Sequence, residues 1–278
     1  MVLTGYQPSV ADVFRVKRYL RSRFPAKLID RIIDDASYWP HSSVCLERPL
    51  LVFVETDRRN DVMYMRTLPL GIRGTEGNFS LVENDLRDSG AAWTKKLRVG
   101  GAGVLSWPTP TLLHPCRKIE FQLWSHDQGW GGEYPGTYRD SYSWFDVGIQ
   151  KLQAPIFADN IIEWPAYLFF EEFDEEPCSI PADPARPFLP HDTTLQKNIV
   201  AKSQTTEHTV VWHFLDSHDE ESAEAIEAAK LGRGPQSLDG KFVRNMQAGD
   251  CITLWARARF PGWENHVQKA KITVYWAV

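Results

Sequence analysis

The stretch HDQGWGGEYPGTYRDSYSWF, residues 126–145, concentrates side chains that can hold a polar ligand. Trp130, Tyr134, Tyr138, Tyr142 and Trp144 offer aromatic faces among four glycines, and His126, Asp127, Gln128, Glu133, Arg139 and Asp140 supply hydrogen-bonding groups. Aromatic faces stack on the C–H side of a pyranose, carboxylates, amides and guanidinium groups reach its hydroxyls, and glycines let a backbone approach closely. The segment reads as a sugar-type binding loop. The competing reading is an aromatic loop folded over its own sheet end.

Two triplets, Ser125-His126-Asp127 and Ser217-His218-Asp219, have the residue types of a hydrolytic triad. Their contiguity argues against one, because a triad converges in space while neighbouring strand residues point to opposite sides. His and Asp there read first as strand-end hydrogen-bonders, with Asp accepting from the backbone amides of the turn it starts. His126, Asp127, His218 and Asp219 nonetheless stay among the ligand-binding candidates. Further along, WARARFPGWENHV places Thr253, Trp255, Arg257 and Arg259 on one side of a strand and Leu254, Ala256, Ala258 and Phe260 on the other. The arginines are expected on a solvated sheet face or shallow groove, paired with neighbouring carboxylates or facing an anionic ligand.

No metal or cofactor is expected. His126, Asp127, Glu133, His218, Asp219 and the acidic run at 171–176 show no metal-ligand spacing. Cys45, Cys116, Cys178 and Cys251 lie far apart without a C-x-x-C pair, which suits buried thiols in a reducing compartment. GWGG and LGRGPQ lack the strand-to-helix setting of a dinucleotide fingerprint, and no phosphate-binding P-loop occurs.

Strands must position these groups. Residues 9–23 carry Val10, Val13, Phe14 and Leu20 at helical spacing; Pro25 opens a second helix with Leu28, Ile32, Ile33 and Ala36, which Trp39-Pro40 ends. This hairpin, within residues 1–45, is too small to stand alone and should dock on the remainder. From residue 46 the period changes to two, and strands are predicted at 50–54, 62–68, 119–124, 143–149, 195–202, 209–215, 241–244, 251–260 and 267–278. A Pro-rich acidic connection separates them at 154–193. IEFQLWSHD at 119–127 is echoed by VVWHFLDSHD at 210–219, each followed by a Gly-containing loop. Together these give a mainly β fold: an antiparallel jelly-roll β-sandwich behind an N-terminal helical hairpin.

With 278 residues, 43% of them hydrophobic and 11 of them Trp, the chain can bury a sizeable core. Its net charge of −5 gives no broad attraction to nucleic acid or anionic lipid, so neither a nucleic-acid nor a membrane partner is expected. The absence of a long apolar run makes a cytoplasmic protein the default.

The phrases DASYWPHSSV, SHDQGW, SYSWFDV and WARARFPGWENHV, at 35–44, 125–130, 141–147 and 255–267, resemble those of a group of uncharacterised fungal proteins, a likeness that implies no activity. More distantly, FPAKLIDRIIDD at 24–35 is similar to the opening helix of an F-box, and a Trp-rich sandwich follows, as in F-box proteins with a galactose-binding-like, sugar-binding domain. That likeness implies a glycan ligand and an adaptor role.

The leading expectation is a lectin-like, non-catalytic module that recognises a glycan, or a glycosylated or peptide partner, through sandwich-end loops. Its rival is a small-molecule enzyme using His126 or His218 as general base, oriented by Asp127, Glu133 or Asp219 in a jelly-roll cavity. A third reading makes the hairpin a protein-docking, F-box-like element.

Overall fold

Ser9 starts the first helix by accepting from Asp12 N (3.2 Å) while Asp12 Oδ2 accepts from Ser9 N (3.0 Å), a capping box that satisfies end amides reciprocally. The computed structural model describes residues 6–54, 62–71, 112–150, 194–234 and 236–278, with three further short strands at 79–81, 97–99 and 167–168. Helices α1 (Val10–Arg21) and α2 (Ala26–Asp35) form the hairpin. Val10, Val13, Ile29 and Ile33 are buried and belong to the main hydrophobic cluster. Asp34 Oδ1 accepts from both Trp39 Nε1 (2.8 Å) and Arg117 Nε (2.9 Å), tying the hairpin to the sheet beneath it.

The strands that follow are β1 (His41–Leu46), β2 (Leu50–Phe53), β3 (Val62–Arg66), β4 (Phe79–Leu81), β5 (Leu97–Val99), β6 (Cys116–His126), β7 (Ser143–Gln150), β8 (Tyr167–Leu168), β9 (Thr194–Lys197) and β10 (Thr206–His213). Three short helices come next, α3 (Ala223–Lys230), α4 (Gln236–Asp239) and α5 (Lys241–Asn245), and then β11 (Cys251–Ala258) and β12 (Glu264–Trp276). The molecule is mainly β, with two principal antiparallel sheets. The first has the order β1-β12-β6-β10; the long β12 also takes β2 along its first residues, from Glu264↔Phe53 to Val267↔Leu50. The second has the order β3-β11-β7-β9, and β4, β5 and β8 pair in a separate three-stranded sheet. Because β1 spans 41–46, sheet structure begins before residue 46.

One cluster joins the two principal sheets. Ile119, Phe121 and Leu123 of β6, Val210 and Trp212 of β10, and Ala270, Ile272 and Val274 of β12 meet Phe145 and Val147 of β7 and Ile252, Leu254 and Ala256 of β11 in it. Alternate residues of each strand supply these side chains, as the pleat requires. Each fully buried large apolar side chain contributes about 2–3 kcal/mol. No helix among the described residues is long and apolar enough to cross a membrane.

Three sequence expectations change. Residues 241–244 are helical: Val243 and Met246, three apart, are both fully buried, and Arg244 Nη1 donates to the Phe214 and Asp216 carbonyls (2.8 and 2.6 Å). The segment expected as a loop after His218 contains α3, capped by Ser222, whose Oγ accepts from Ala225 N (3.2 Å). Finally, β10 ends at His213, so the second Ser-His-Asp lies in a loop beyond it and not at the strand end. The connection at 154–193 lies outside the described residues, apart from β8.

Candidate functional site

Strand pairing decides which loops can cooperate. β6 and β10 are antiparallel neighbours, with Ser125 opposite Thr206 and Lys118 opposite His213. The first Ser-His-Asp therefore lies at one end of β6, whose last residues are Ser125 and His126, while the second follows the other end of the pair, about 23 Å away at a strand rise near 3.3 Å per residue. His218 and Asp219 do not join the 126–145 loop. His218 is exposed and lies 3.7 Å from Glu224 of α3.

Asp127 is fully buried and anchors the first loop. Its carboxylate accepts from Gly129 N (2.8 Å), Lys202 N (2.8 Å) and Ala201 N (2.6 Å), fastening the chain after β6 to the turn between β9 and β10. Burial pushes this carboxyl above its ordinary range, and the three amides oppose the rise. The same turn also bonds the loop directly, through Gly136 N to Val200 O and Val200 N to Thr137 O (both 2.8 Å). Gly132 makes this approach possible: at φ 76° it adopts the left-handed conformation, and a Cβ there would fall 2.3 Å from Val200 Cγ1.

The strapped loop meets the turn between β11 and β12. Gly132 faces the Trp263 ring, and Trp130 reaches Gly262. Tyr142 stands edge-on to Phe260 and Trp263, at centroid distances of 4.8 and 5.3 Å. Gln128 links the two segments by donating to Trp130 O (2.8 Å) and accepting from Glu264 N (3.3 Å). Arg139 lies 4.0 Å from the Tyr134 ring centroid. Trp130 projects from this rim with 63% of its surface exposed, and Glu133 and Arg139 are also exposed. Phe260 and Trp263 were missed as site residues. Their signal was the Pro261-Gly262 turn between two aromatic side chains.

Two residues of the expected loop site serve packing instead. Tyr138 OH bonds His208 Nε2 (3.0 Å), and Trp144 is buried (1% exposed), donating its indole N–H to Asp146 Oδ1 (2.8 Å). The arginines of β11 and beyond are also relocated. The register puts Thr253, Trp255 and Arg257 on one side and Arg257 is ion-paired with the neighbouring carboxylate of Asp146, both as expected, but the pair is largely buried, and Arg259, 7% exposed, stacks on Trp144 at 5.3 Å. This side of the second sheet is a buried polar layer and not a solvated face; Arg66 continues it, bonding Gln150 Oε1 (2.9 Å). Phe260, expected on the opposite side, follows the strand's end at φ 65° and turns to the rim.

Comparison with known proteins finds no matching family model, and no match among curated proteins or solved structures. The chemistry of the rim has to be read from its own geometry. His126 stacks on His266 (centroids 4.4 Å apart, 12° between planes), its Nδ1 shares a hydrogen bond with Asp127 O (2.6 Å), and His266 bonds Glu264 (2.6 Å). Among the described residues no hydrogen bond or ion pair joins His126 or His218 to the carboxylates of Asp127, Glu133 or Asp219, the direct contact a general base would need. No group of three His, Cys, Asp or Glu among the described residues could hold a metal ion.

Beneath the rim, burial pushes the imidazole of His208 down to about 4, helped by the Lys202 and Arg233 charges. Its ordinary value is 6.5, so below that pH the unfolded chain takes up a proton that the fold refuses. The stability contributed by this neutral imidazole should be complete above pH 6.5 and lost as the pH falls to about 4, a decline of about 3 kcal/mol. Urea unfolding of the parent and of His208→Gln across that interval measures it: the parent should show the steeper fall. Parallel profiles would mean that His208 does not carry the effect.

Proposed function

We propose that the chain is a non-catalytic recognition module whose sandwich-end rim binds a glycan. The observation that carries this reading is Trp130: an indole 63% exposed on a backbone that the buried Asp127 carboxylate and the close-packed Gly132 hold in place. A large exposed aromatic side chain on a rigid loop loses little conformational freedom on binding, which suits a stacking platform for a sugar ring. Glu133 and Arg139, exposed on the same loop, offer acceptors and donors for hydroxyl groups. A galactose-binding-like sandwich, which the distant sequence resemblance implies, would use its surface in the same manner.

The strand order supports a jelly roll as the scaffold. If β1 and β2 are counted as one interrupted edge strand, and β4, β5 and β8 as an insertion, eight strands remain. The first, eighth, third and sixth then form one sheet and the second, seventh, fourth and fifth the other, the order generated by two interlocked Greek keys. In that scaffold the 127–142 loop and the 259–263 turn open on the same end.

A glycan array with the full chain, followed by calorimetric titration of the sugars it retains, tests the proposal. Trp130→Ala should weaken binding by roughly thirtyfold, the 2 kcal/mol typical of a hot-spot residue, and leave thermal unfolding unchanged. An array without any retained sugar, or a Trp130→Ala variant that binds as the parent does, would remove the reading.

A further inference from the structure

The helical hairpin has a second face that the described strands do not cover. Val10, Val13, Ile29 and Ile33 point into the core, whereas every residue from Arg21 to Leu28 is exposed. The segment RYLRSRFPAKL, residues 18–28, holds four cations, Arg18, Arg21, Arg23 and Lys27, and no carboxylate. Between them Tyr19, Phe24 and Leu28 expose 64%, 40% and 42% of their surface. Nearby bases are already paired, Arg15 with Asp12 (3.5 Å), Lys17 with Asp30 (2.7 Å) and Arg31 with Asp35 (3.7 Å). Arg18, Arg21 and Lys27 have no ion pair among the described residues, and Arg23 stacks on Tyr19 at 5.4 Å.

We propose that this hairpin tip docks on an anionic lipid bilayer. Unpaired cations interleaved with exposed aromatic and aliphatic side chains match a surface that is charged outside and apolar beneath: rings enter the headgroup boundary while Arg and Lys extend to the phosphates and carboxylates. The tip is a helix end, a turn and a helix start, which make a corner and not a groove. Its eleven residues are about half of the 20–30 that each side of a stable protein interface provides. A fluid bilayer moulds to such a corner without needing a complementary shape. Charge also sets the orientation. The chain carries −5 in all and +4 at the tip, leaving −9 elsewhere (−5 − 4), so an anionic surface attracts the tip and repels the body. The whole-chain charge, from which no membrane partner was expected, conceals this separation.

Co-sedimentation of the full chain with vesicles tests the proposal. Vesicles of phosphatidylcholine and phosphatidylserine should retain the protein at low salt and release it at high salt, and phosphatidylcholine alone should not retain it. The combined Arg18→Gln, Arg21→Gln and Lys27→Gln variant should partition roughly tenfold less or weaker still, and Phe24→Ser should also reduce retention. The three cationic side chains are exposed, so the thermal unfolding midpoint of the triple variant should stay close to the parent value. Trp130→Ala should sediment as the parent does, separating this surface from the glycan rim. Failure of phosphatidylserine vesicles to retain the parent at low salt overturns the proposal, as does undiminished retention of the triple variant. Tip-dependent binding to a poly-glutamate peptide without vesicle binding also overturns it, assigning the tip to an acidic protein.

Discussion

Asp127→Ala is expected to lower the unfolding free energy by about 2–4 kcal/mol, since a fully buried amide left without an acceptor costs roughly 1–3 kcal/mol and the three amides here are partly buried. Three amides lose theirs at once, those of Gly129, Ala201 and Lys202, and two separate segments lose the group that joins them. Asp127→Asn should fall between variant and parent: its remaining oxygen can still accept from Gly129 and Lys202, but its NH2 group would face the Ala201 N–H. Chemical unfolding measures both losses. Limited trypsin digestion supplies a second readout, because the freed loop should be cut after Arg139 much sooner than in the parent. An Asp127→Ala protein as stable and as resistant as the parent would show that the clamp does not hold the loop, and the rigid Trp130 platform would lose its basis.

The second large effect concerns the polar plug under the same rim. Ser125 Oγ donates to Asn198 Oδ1 (2.7 Å), and Asn198 Nδ2 donates to Ser143 Oγ (3.1 Å) and Asn265 Oδ1 (3.0 Å). Asn265 Nδ2 in turn donates to Trp144 O (2.8 Å) and Arg257 O (3.2 Å). All four residues have 0% exposure, and they connect β6, β7, the chain after β9, and β12. Asn198→Leu, close in volume, leaves the polar groups of Ser125, Ser143 and Asn265 short of a partner in a site without water access, and should cost about 3–5 kcal/mol. Replacing Ser125 and Ser143 by Ala in the same variant should recover part of that loss, because it removes groups that the leucine left unsatisfied. A near-neutral Asn198→Leu would mean that the sandwich end is held by apolar packing alone.

The local patterns were legible where one residue's surroundings resemble its neighbours'. The alternation in β6, β7, β11 and β12 marked them as strands, and the hairpin's helical period marked α1 and α2. Asp127 was readable as a turn-fixing acceptor from its place after a strand. The fifth and third α-helices were not legible as such. The apolar side chains of KFVRNM suit either period over so few residues, and only the burial of Val243 and Met246 selects the helix. The expected site was partly redistributed for a comparable reason. Trp144 and Tyr138 belong to the aromatic stretch by composition, yet Asp146 and His208, supplied by the fold, turn them inward. Arg257 and Arg259 looked solvated because a strand's period says which residues share a side and not what covers that side.

From the residues alone came the mainly β character, the helical hairpin, and a glycine-rich aromatic loop beginning at a turn-capping acceptor. These are properties of short-range spacing, and backbone geometry converts spacing into faces and turns without reference to the rest of the chain. Tertiary structure alone decided that the two Ser-His-Asp triplets lie at opposite ends, that the Phe260–Trp263 turn completes the rim, and that the arginine side of β11 is enclosed. Each of those depends on which strands pair and in what direction, and pairing is set by burial of the whole core, to which residues far apart in the chain contribute jointly.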